Sequence, residues 1–397
     1  MKSKTTKLTI KLFLISLFGI VLSCTTKSNN MKLNLTQMPV NGLTGNLQKG
    51  VSATYAALID GKLIVAGGAN FPDKLGFEGG SKAFYDEIML FDNTQNAWRQ
   101  IGKLPQLSAY GVSVPISDGA LWIGGNTATE SLTNCYKVTL DDNDSVTLDA
   151  FPALPSTMDN FAGCSLNDVI FVGGGSENGK PSNSLYCINA KTDTNWTKLP
   201  DFPGTARVQP IMASIEKEGI TFVYLLGGFF GGNATEKPTM ATDVLRYDVA
   251  AQKWEKVGEQ IDVDSQKPFS LGGATAMPVD NRYILCLGGV NHDVFLDAIT
   301  TQYNIANDTT TSAEEKGQLN YNFSKNYMTQ PIEYYKFNPE CRVFDTETGI
   351  WTTLLASPDL ARAGATLVYN KKEFYAVQGE LKPGVRSAVT IKGEIKQ

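Results

Sequence analysis

The residues able to do chemistry in this chain are few, and their types narrow the choice. There is one histidine, His292, among 397 residues. A copper site built on paired imidazoles, or a zinc site built on two or three, cannot be assembled from it. A Ser-His-Asp or Cys-His device would have to use His292 alone. Acid–base work therefore falls to carboxylates, tyrosines or lysines. The segment Gln378-Gly379-Glu380-Leu381-Lys382-Pro383-Gly384-Val385-Arg386-Ser387 is the best candidate. Pro383 and Gly384 favour a turn, which brings Arg386 back toward Glu380. A carboxylate beside a guanidinium suits a general base next to an anion clamp. Taken alone, the same spacing suits an ion pair across a solvated loop equally well.

The elements that must position this pair follow a repeat. Apolar runs end in a glycine pair at Leu63–Gly68, Leu121–Gly125, Ile170–Gly175, Tyr224–Gly228 and Ile284–Gly289, with a degenerate sixth at Phe374–Gly379. After the pair come a loop and a third apolar strand ending in Asp, as in Ile88–Asp92, Val244–Asp248 and Cys341–Asp345. A tryptophan then opens a fourth strand at Trp98, Trp196, Trp254 and Trp351. Short strands recurring with glycine pairs and tryptophans predict an all-β, six-bladed β-propeller of kelch type. The sixth unit supplies three strands, Ala363–Tyr369, Phe374–Gly379 and Ser387–Ile391. The N-terminal strand Lys32–Pro39 is expected to close that last blade and remove both open edges. The propeller would occupy residues 32–397, with an insertion at about 290–340. The insertion is rich in aromatics (Tyr327, Tyr334, Tyr335), and a lid or extra helix over the channel is the expected form.

Meander geometry puts the residues after each glycine pair, and those before each inner strand, around one channel mouth. Tyr110, Asn160, Arg207, Arg362 and Asn291 are thereby candidates for substrate binding, and Glu380, directly after the last small residue of its run, points near the same channel. That mixture of carboxylate, arginines, amides and aromatics suits an anionic, hydroxylated small molecule.

The first residues read as a targeting segment. Lys2, Lys4, Lys7 and Lys11 precede the apolar run Leu12–Leu22, which is too short to span a bilayer. Ser23 and Cys24 follow, so 1–23 is expected to be a lipoprotein signal peptide, Cys24 the lipidation site and 24–31 a linker. Leu22 is bulkier than the lipobox prefers, which leaves ordinary cleavage after Ser23 as the alternative. The chain would then be exported and lipid-anchored in the bacterial cell envelope, most simply on the periplasmic side. Removing 1–23 takes four lysines and no acid, so the formal charge of −5 becomes −9. An acidic balance argues against nucleic acid as partner. Cys135, Cys164, Cys187, Cys286 and Cys341 have no CxxC spacing and lie mostly in apolar runs, as buried thiols do.

Gly379-Glu380-Leu381-Lys382-Pro383-Gly384-Val385-Arg386 resembles the G-E-x-K-P-G-x-R signature of bacterial N-acetylneuraminate epimerases, the kelch sialic-acid mutarotases. Tyr110–Pro115 resembles the family's Y-G-V-S-x-P run. Phe202–Gln209 resembles its F-P-G-G-x-R-x-Q, departing at Thr205 and Val208. Phe77–Lys82 lies where the family has H-E-G-x-x-K, which adds Glu78 to the binding candidates. The order of these segments is shifted, as in a cyclically permuted mutarotase branch. The resemblance implies that Glu380 is the proton acceptor, that Arg386 binds substrate, and that no metal or other cofactor is needed. It implies interconversion of the α- and β-anomers of sialic acid by ring opening. The residues alone leave open a mutarotase for another anionic or amino sugar, or a non-catalytic kelch module binding glycan or protein.

Overall fold

The apolar runs before the glycine pairs do not alternate. In Leu63-Ile64-Val65-Ala66 every side chain is buried, so this strand is covered on both faces. A sheet buried on both faces must be sandwiched between two others, and the architecture follows from that requirement. The computed structural model describes residues 31–396; the proposed signal segment and Cys24 lie outside the described residues.

The described chain is all-β with few helices. It forms six four-stranded antiparallel sheets, each a meander. In chain order, the first runs Tyr55–Ile59, Lys62–Ala66, Glu87–Asp92 and Ala97–Lys103. The next four open at Val112–Ile116, Ala162–Leu166, Ile211–Lys217 and Ala274–Val279. The sixth is assembled from both ends of the described chain. Thr366–Asn370, Glu373–Val377 and Ile391–Lys396 are joined by Lys32–Gln37, paired from Lys32 with Lys396 to Gln37 with Ile391. The closing strand is thus where the sequence reading put it. The sixth sheet's third strand is not: it is Ile391–Lys396, beyond the expected Ser387–Ile391. Pairing of Val385–Arg386 with Glu380–Lys382 uses chain that the sequence reading assigned to the loop, and Ser387–Thr390 serves as the connection.

Apolar cores lie between successive sheets. One joins Ile64 and Ile88 of the first sheet to Trp122 and Val138 of the second. Another joins Val368, Tyr375 and Val377 of the sixth to Val65, Met89 and Trp98 of the first. The first and last sheets therefore share a core as consecutive sheets do. Burying a large apolar side chain in such an interface is worth about 1.5–3 kcal/mol.

The repeat residues stitch neighbouring units. Trp98, Trp196 and Trp254 each donate an indole N–H to a proline carbonyl of the preceding unit: Pro39 at 2.9 Å, Pro152 at 2.9 Å and Pro200 at 2.8 Å. Trp351 reaches the Glu259 carbonyl at 2.8 Å. The partner of Trp98, the earliest of them, lies just after the strand that closes the sixth sheet. At the glycine pair the backbone turns with positive φ at both residues, and the second N–H crosses to the next unit. Gly68 reaches the Ser108 carbonyl at 2.9 Å, and Gly379 reaches Val51 at 3.0 Å. A Cβ at Gly68 would sit 2.7 Å from a Val51 methyl, so the crossing needs glycine. In the sixth unit Gln378 replaces the first glycine at φ +51°. Its side chain offsets that strain by accepting the Val51 N–H at 3.0 Å.

The insertion is helical: α1 (His292–Asn307), α2 (Ala313–Met328) and the short α3 (Ile332–Tyr335). Asn291 caps α1 through the Val294 N–H at 3.1 Å, and Ser312 and Glu315 form a capping box on α2. All five described cysteines are free thiols; Cys187 is half-buried and the others are buried.

Candidate active site

The residue preceding each inner strand by one or two positions sits in the left-handed backbone region. These six are Ala53, Tyr110, Asn160, Gln209, Gly273 and Gly364. Their peptide groups bond to one another in a closed cycle. Ala53 N–H donates to Gly364 (2.7 Å), Tyr110 to Ala53 (2.9 Å), Asn160 to Tyr110 (2.9 Å), Gln209 to Asn160 (2.7 Å), Gly273 to Gln209 (3.1 Å) and Gly364 to Gly273 (2.8 Å). The cycle marks one mouth of the structure and gives it six stations. Three are small (Ala53, Gly273, Gly364) and three carry functional groups. Asn160 Oδ1 accepts from Gln209 Nε2 at 3.1 Å, joining two neighbouring stations.

Glu380 stands beside the Gly364 station. It exchanges backbone hydrogen bonds with Ala363, at 2.7 and 2.9 Å, and opens the two-stranded hairpin to Val385–Arg386. The turn expected at Pro383-Gly384 brings the two side chains together: Arg386 Nη2 is 2.9 Å from Glu380 Oε2. Gly384 N–H donates to Oε1 at 3.2 Å. Arg386 is almost sealed, at 3% side-chain exposure, while Glu380 keeps 24%. Arg386 Nε donates to Ser52 Oγ at 3.2 Å. Its Nη1 is buried with no partner among the described residues. Burial pushes the Glu380 carboxyl above its ordinary value, against the lowering effects of Arg386, the Gly384 N–H and Lys82. A carboxylate poised this way is a better base than an exposed one.

One aromatic ring connects this pair to the next group. Arg386 lies 5.7 Å from the Phe71 ring centroid and Lys82 Nζ lies 5.9 Å from the same centroid. Lys82 donates to Tyr110 Oη at 2.9 Å and packs 4.8 Å from that ring's centroid. The helical insertion approaches from the other side. Lys382 binds the carbonyls of Met328 (3.2 Å) and Gln330 (2.6 Å) at the end of α2. Tyr335 Oη donates to the Tyr327 carbonyl. Burial, with the Glu380 charge as a smaller contributor, raises both phenols, Tyr335 to about 12. The insertion is therefore docked on the hairpin that carries Glu380, as a covering element would be.

The other candidates stand elsewhere. Arg207 is buried, with Nη1 and Nη2 on Asp243 at 2.6 and 3.1 Å. Arg362 is buried with Nη1 on the carbonyls of Gln378 (2.8 Å) and Val389 (2.7 Å), and burial lowers it to about 10. Neither guanidinium bonds to the Glu380–Arg386 pair: Arg207 is spent on Asp243, and Arg362 on two carbonyls with its Nε buried and without a partner among the described residues. The reason is register. Each arginine lies two residues before its station, at the position where Ser108 and Met158 are also buried between sheets. Glu78 is exposed and caps a short 3-10 turn through the Leu75 N–H at 3.0 Å. Asn291 is occupied as a helix cap. His292 Nδ1 pairs with Asp293 at 2.8 Å and lines a separate cavity with Asp262, Lys267 and Arg342. Tyr110 and Asn160 do stand at the mouth. Gln209, Ser52 and Lys82 are the neighbours that spacing did not single out. A positive-φ position just before each inner strand is the signal that would have found Gln209.

The family model described as N-acetylneuraminate epimerase matches residues 22–147 and 151–397. The chain belongs to that family. An N-acetylneuraminate epimerase of Salmonella paratyphi B is 28% identical over 60% of this chain and 56% of its own. One from Pasteurella multocida is 26% identical over 62% and 59%. The chain thus matches somewhat over half the length of these relatives. A solved structure titled "Structure of YjhT" aligns with a TM-score of 0.49 at 24% identity, covering 59% of this chain and 62% of that one.

Proposed function

We propose that this chain is a cofactor-free mutarotase that interconverts the α- and β-anomers of N-acetylneuraminate. The observation that carries the reading is the Glu380–Arg386 hairpin at the mouth. It sets a half-buried carboxylate of raised pKa against a buried guanidinium that still has an unused donor. Ionised Glu380 removes the proton of the anomeric hydroxyl, the ring opens to the 2-keto acid, and rotation and reclosure give the other anomer. Arg386 Nη1 takes an oxygen of the substrate carboxylate in a charge-assisted bond.

We read the scaffold as a six-bladed kelch-type propeller whose last blade is closed by Lys32–Gln37. The six-station cycle and the core shared by first and last sheets support this. A ring closed in that way can be opened between any two blades. Cyclic permutation would also account for matches to relatives that stop at about 60% of each chain, because a collinear alignment breaks where the ring is cut. We further infer export and lipid anchoring through Cys24, on the strength of the sequence around it.

The test is NMR of freshly released α-N-acetylneuraminate. Wild type should accelerate the appearance of the β-anomer over the spontaneous rate, and Glu380→Ala should not. Wild type without effect on the rate would remove the sialic-acid reading. Acceleration retained in Glu380→Ala would remove the assignment of the base.

A further inference from the structure

Ring opening needs two proton sites. One takes the proton of the anomeric hydroxyl, and the other supplies a proton to the ring oxygen as its bond to the anomeric carbon breaks. Both oxygens of Glu380 are already engaged, Oε1 by the Gly384 N–H and Oε2 by the ion pair with Arg386. A second group would relieve the carboxylate of serving both sites. The hydroxyls nearby are those of Ser52, Tyr335, Tyr327 and Tyr110; Tyr327 feels the Glu380 charge but packs against Phe323, Tyr334 and Tyr335. Ser52 Oγ accepts from Arg386 Nε and is 3.4 Å from the Ala69 carbonyl. Tyr335 donates to the Tyr327 carbonyl. Tyr110 is different: its oxygen accepts from the Lys82 ammonium at 2.9 Å, so its own proton is left for another acceptor.

Its place in the cycle suits the task. Going round the mouth from Gly364, beside Glu380, the next station is Ala53 and the one after is Tyr110. The intervening station, Ala53, carries only a methyl group. The ring of Phe71 lies within 6 Å of both Arg386 and Lys82, so one apolar surface borders both polar groups.

Building on the mutarotase reading, we propose that Tyr110 is the proton donor to the ring oxygen and that Lys82 is its positioning residue. Glu380 takes the anomeric hydroxyl's proton, and that oxygen's electron pair forms the ketone. The bond from the anomeric carbon to the ring oxygen breaks, its pair stays on the ring oxygen, and the Tyr110 proton goes there. The phenolate is held beside the Lys82 ammonium, which stabilises it electrostatically. Reclosure on the other face reverses both transfers, so protein and proton count return to their starting state with no co-reactant.

The experiment is the same NMR assay on wild type, Tyr110→Phe, Tyr327→Phe, Lys82→Met, Lys82→Arg and the double variant, with thermal unfolding to show that each is folded. Tyr110→Phe keeps the ring, its edge contact with Phe84 at 6.4 Å and the packing with Lys82. It should lower kcat about 100-fold with KM within about threefold. Lys82→Met should cost about tenfold, Lys82→Arg should restore most of it, and the double variant should be no worse than Tyr110→Phe alone. A folded Tyr110→Phe within about twofold of wild type overturns the proposal, as does a loss that follows Tyr327→Phe instead. Wild type inert on N-acetylneuraminate overturns the mutarotase reading and this proposal together.

Discussion

Arg207 and Arg386 are equally hidden, at 4% and 3% side-chain exposure, and each faces a carboxylate, Asp243 at 22% and Glu380 at 24%. Burial and partner type do not separate them. The use of the guanidinium fork does. Arg207 places Nη1 and Nη2 on the two oxygens of Asp243, a saturated bidentate pair. Arg386 gives the carboxylate one contact, gives Ser52 another, and keeps Nη1 without a protein partner. A fork that is full holds sheets together; a fork with a buried free donor costs stability unless something else occupies it. Arg342 and Arg362 also bury an unpartnered Nε, so what singles out Arg386 is its free donor together with its place beside the six-station cycle.

The comparison breaks most sharply if the carboxylates are removed in turn. Asp243→Ala leaves Arg207 buried without its partner and should destabilise the fold by about 3 kcal/mol. Denaturant unfolding would show it, with kcat and KM of the surviving folded fraction unchanged. Glu380→Ala also orphans a buried guanidinium and should cost stability as well, but it should abolish anomerisation in the folded fraction, which Asp243→Ala should not. If Asp243→Ala is as stable as wild type and loses activity, the full fork is the site and the distinction fails.

Arg362 supplies a third case, a buried arginine bound only to the carbonyls of Gln378 and Val389. Arg362→Met fills the same volume but leaves those two carbonyls short of a donor. A loss of about 2 kcal/mol is expected, with KM for the sugar acid unchanged. A rise of tenfold or more in KM would return Arg362 to the binding residues.

What could be read from sequence divides along the same line. Features repeated once per unit were legible, because five or six copies average out local noise. The glycine pairs, the four tryptophans and the closing strand at Lys32–Gln37 all stand where the spacing put them. The pairing of Glu380 with Arg386 was legible because a proline-glycine turn dictates how their strands return. The errors lie where a repeat is entered or left. Arg207 and Arg362 precede positive-φ residues, and a left-handed turn shifts which side chains face the mouth by a step that strand alternation does not encode. Ser387–Ile391 reads as a strand by composition, yet the hairpin uses the chain before it and the sheet begins at Ile391. Lys82 sits in a loop with no periodicity; the resemblance covered its segment, but only the contacts with Tyr110 and Phe71 show what it touches.

The smallest effect expected is a shift in pH, and it tests the open fork directly. Burial raises Glu380 above its ordinary 4.5, and Arg386 and Lys82 oppose that rise. The group is protonated in the native state over a window where the unfolded chain has already ionised it. Between 4.5 and the raised value, stability therefore falls as pH increases. Activity runs the other way, since the base must be ionised. The acid limb of kcat/KM should lie above the ordinary glutamate value, and it should move further toward neutral pH in Arg386→Gln, where the opposing charge is gone. Arg207→Gln, at the full fork, should leave the limb in place. The measurement is kcat/KM against pH for the three proteins at one ionic strength. Equal limbs in wild type and Arg386→Gln would mean that the pair does not tune the base, and that Arg386 serves the substrate alone.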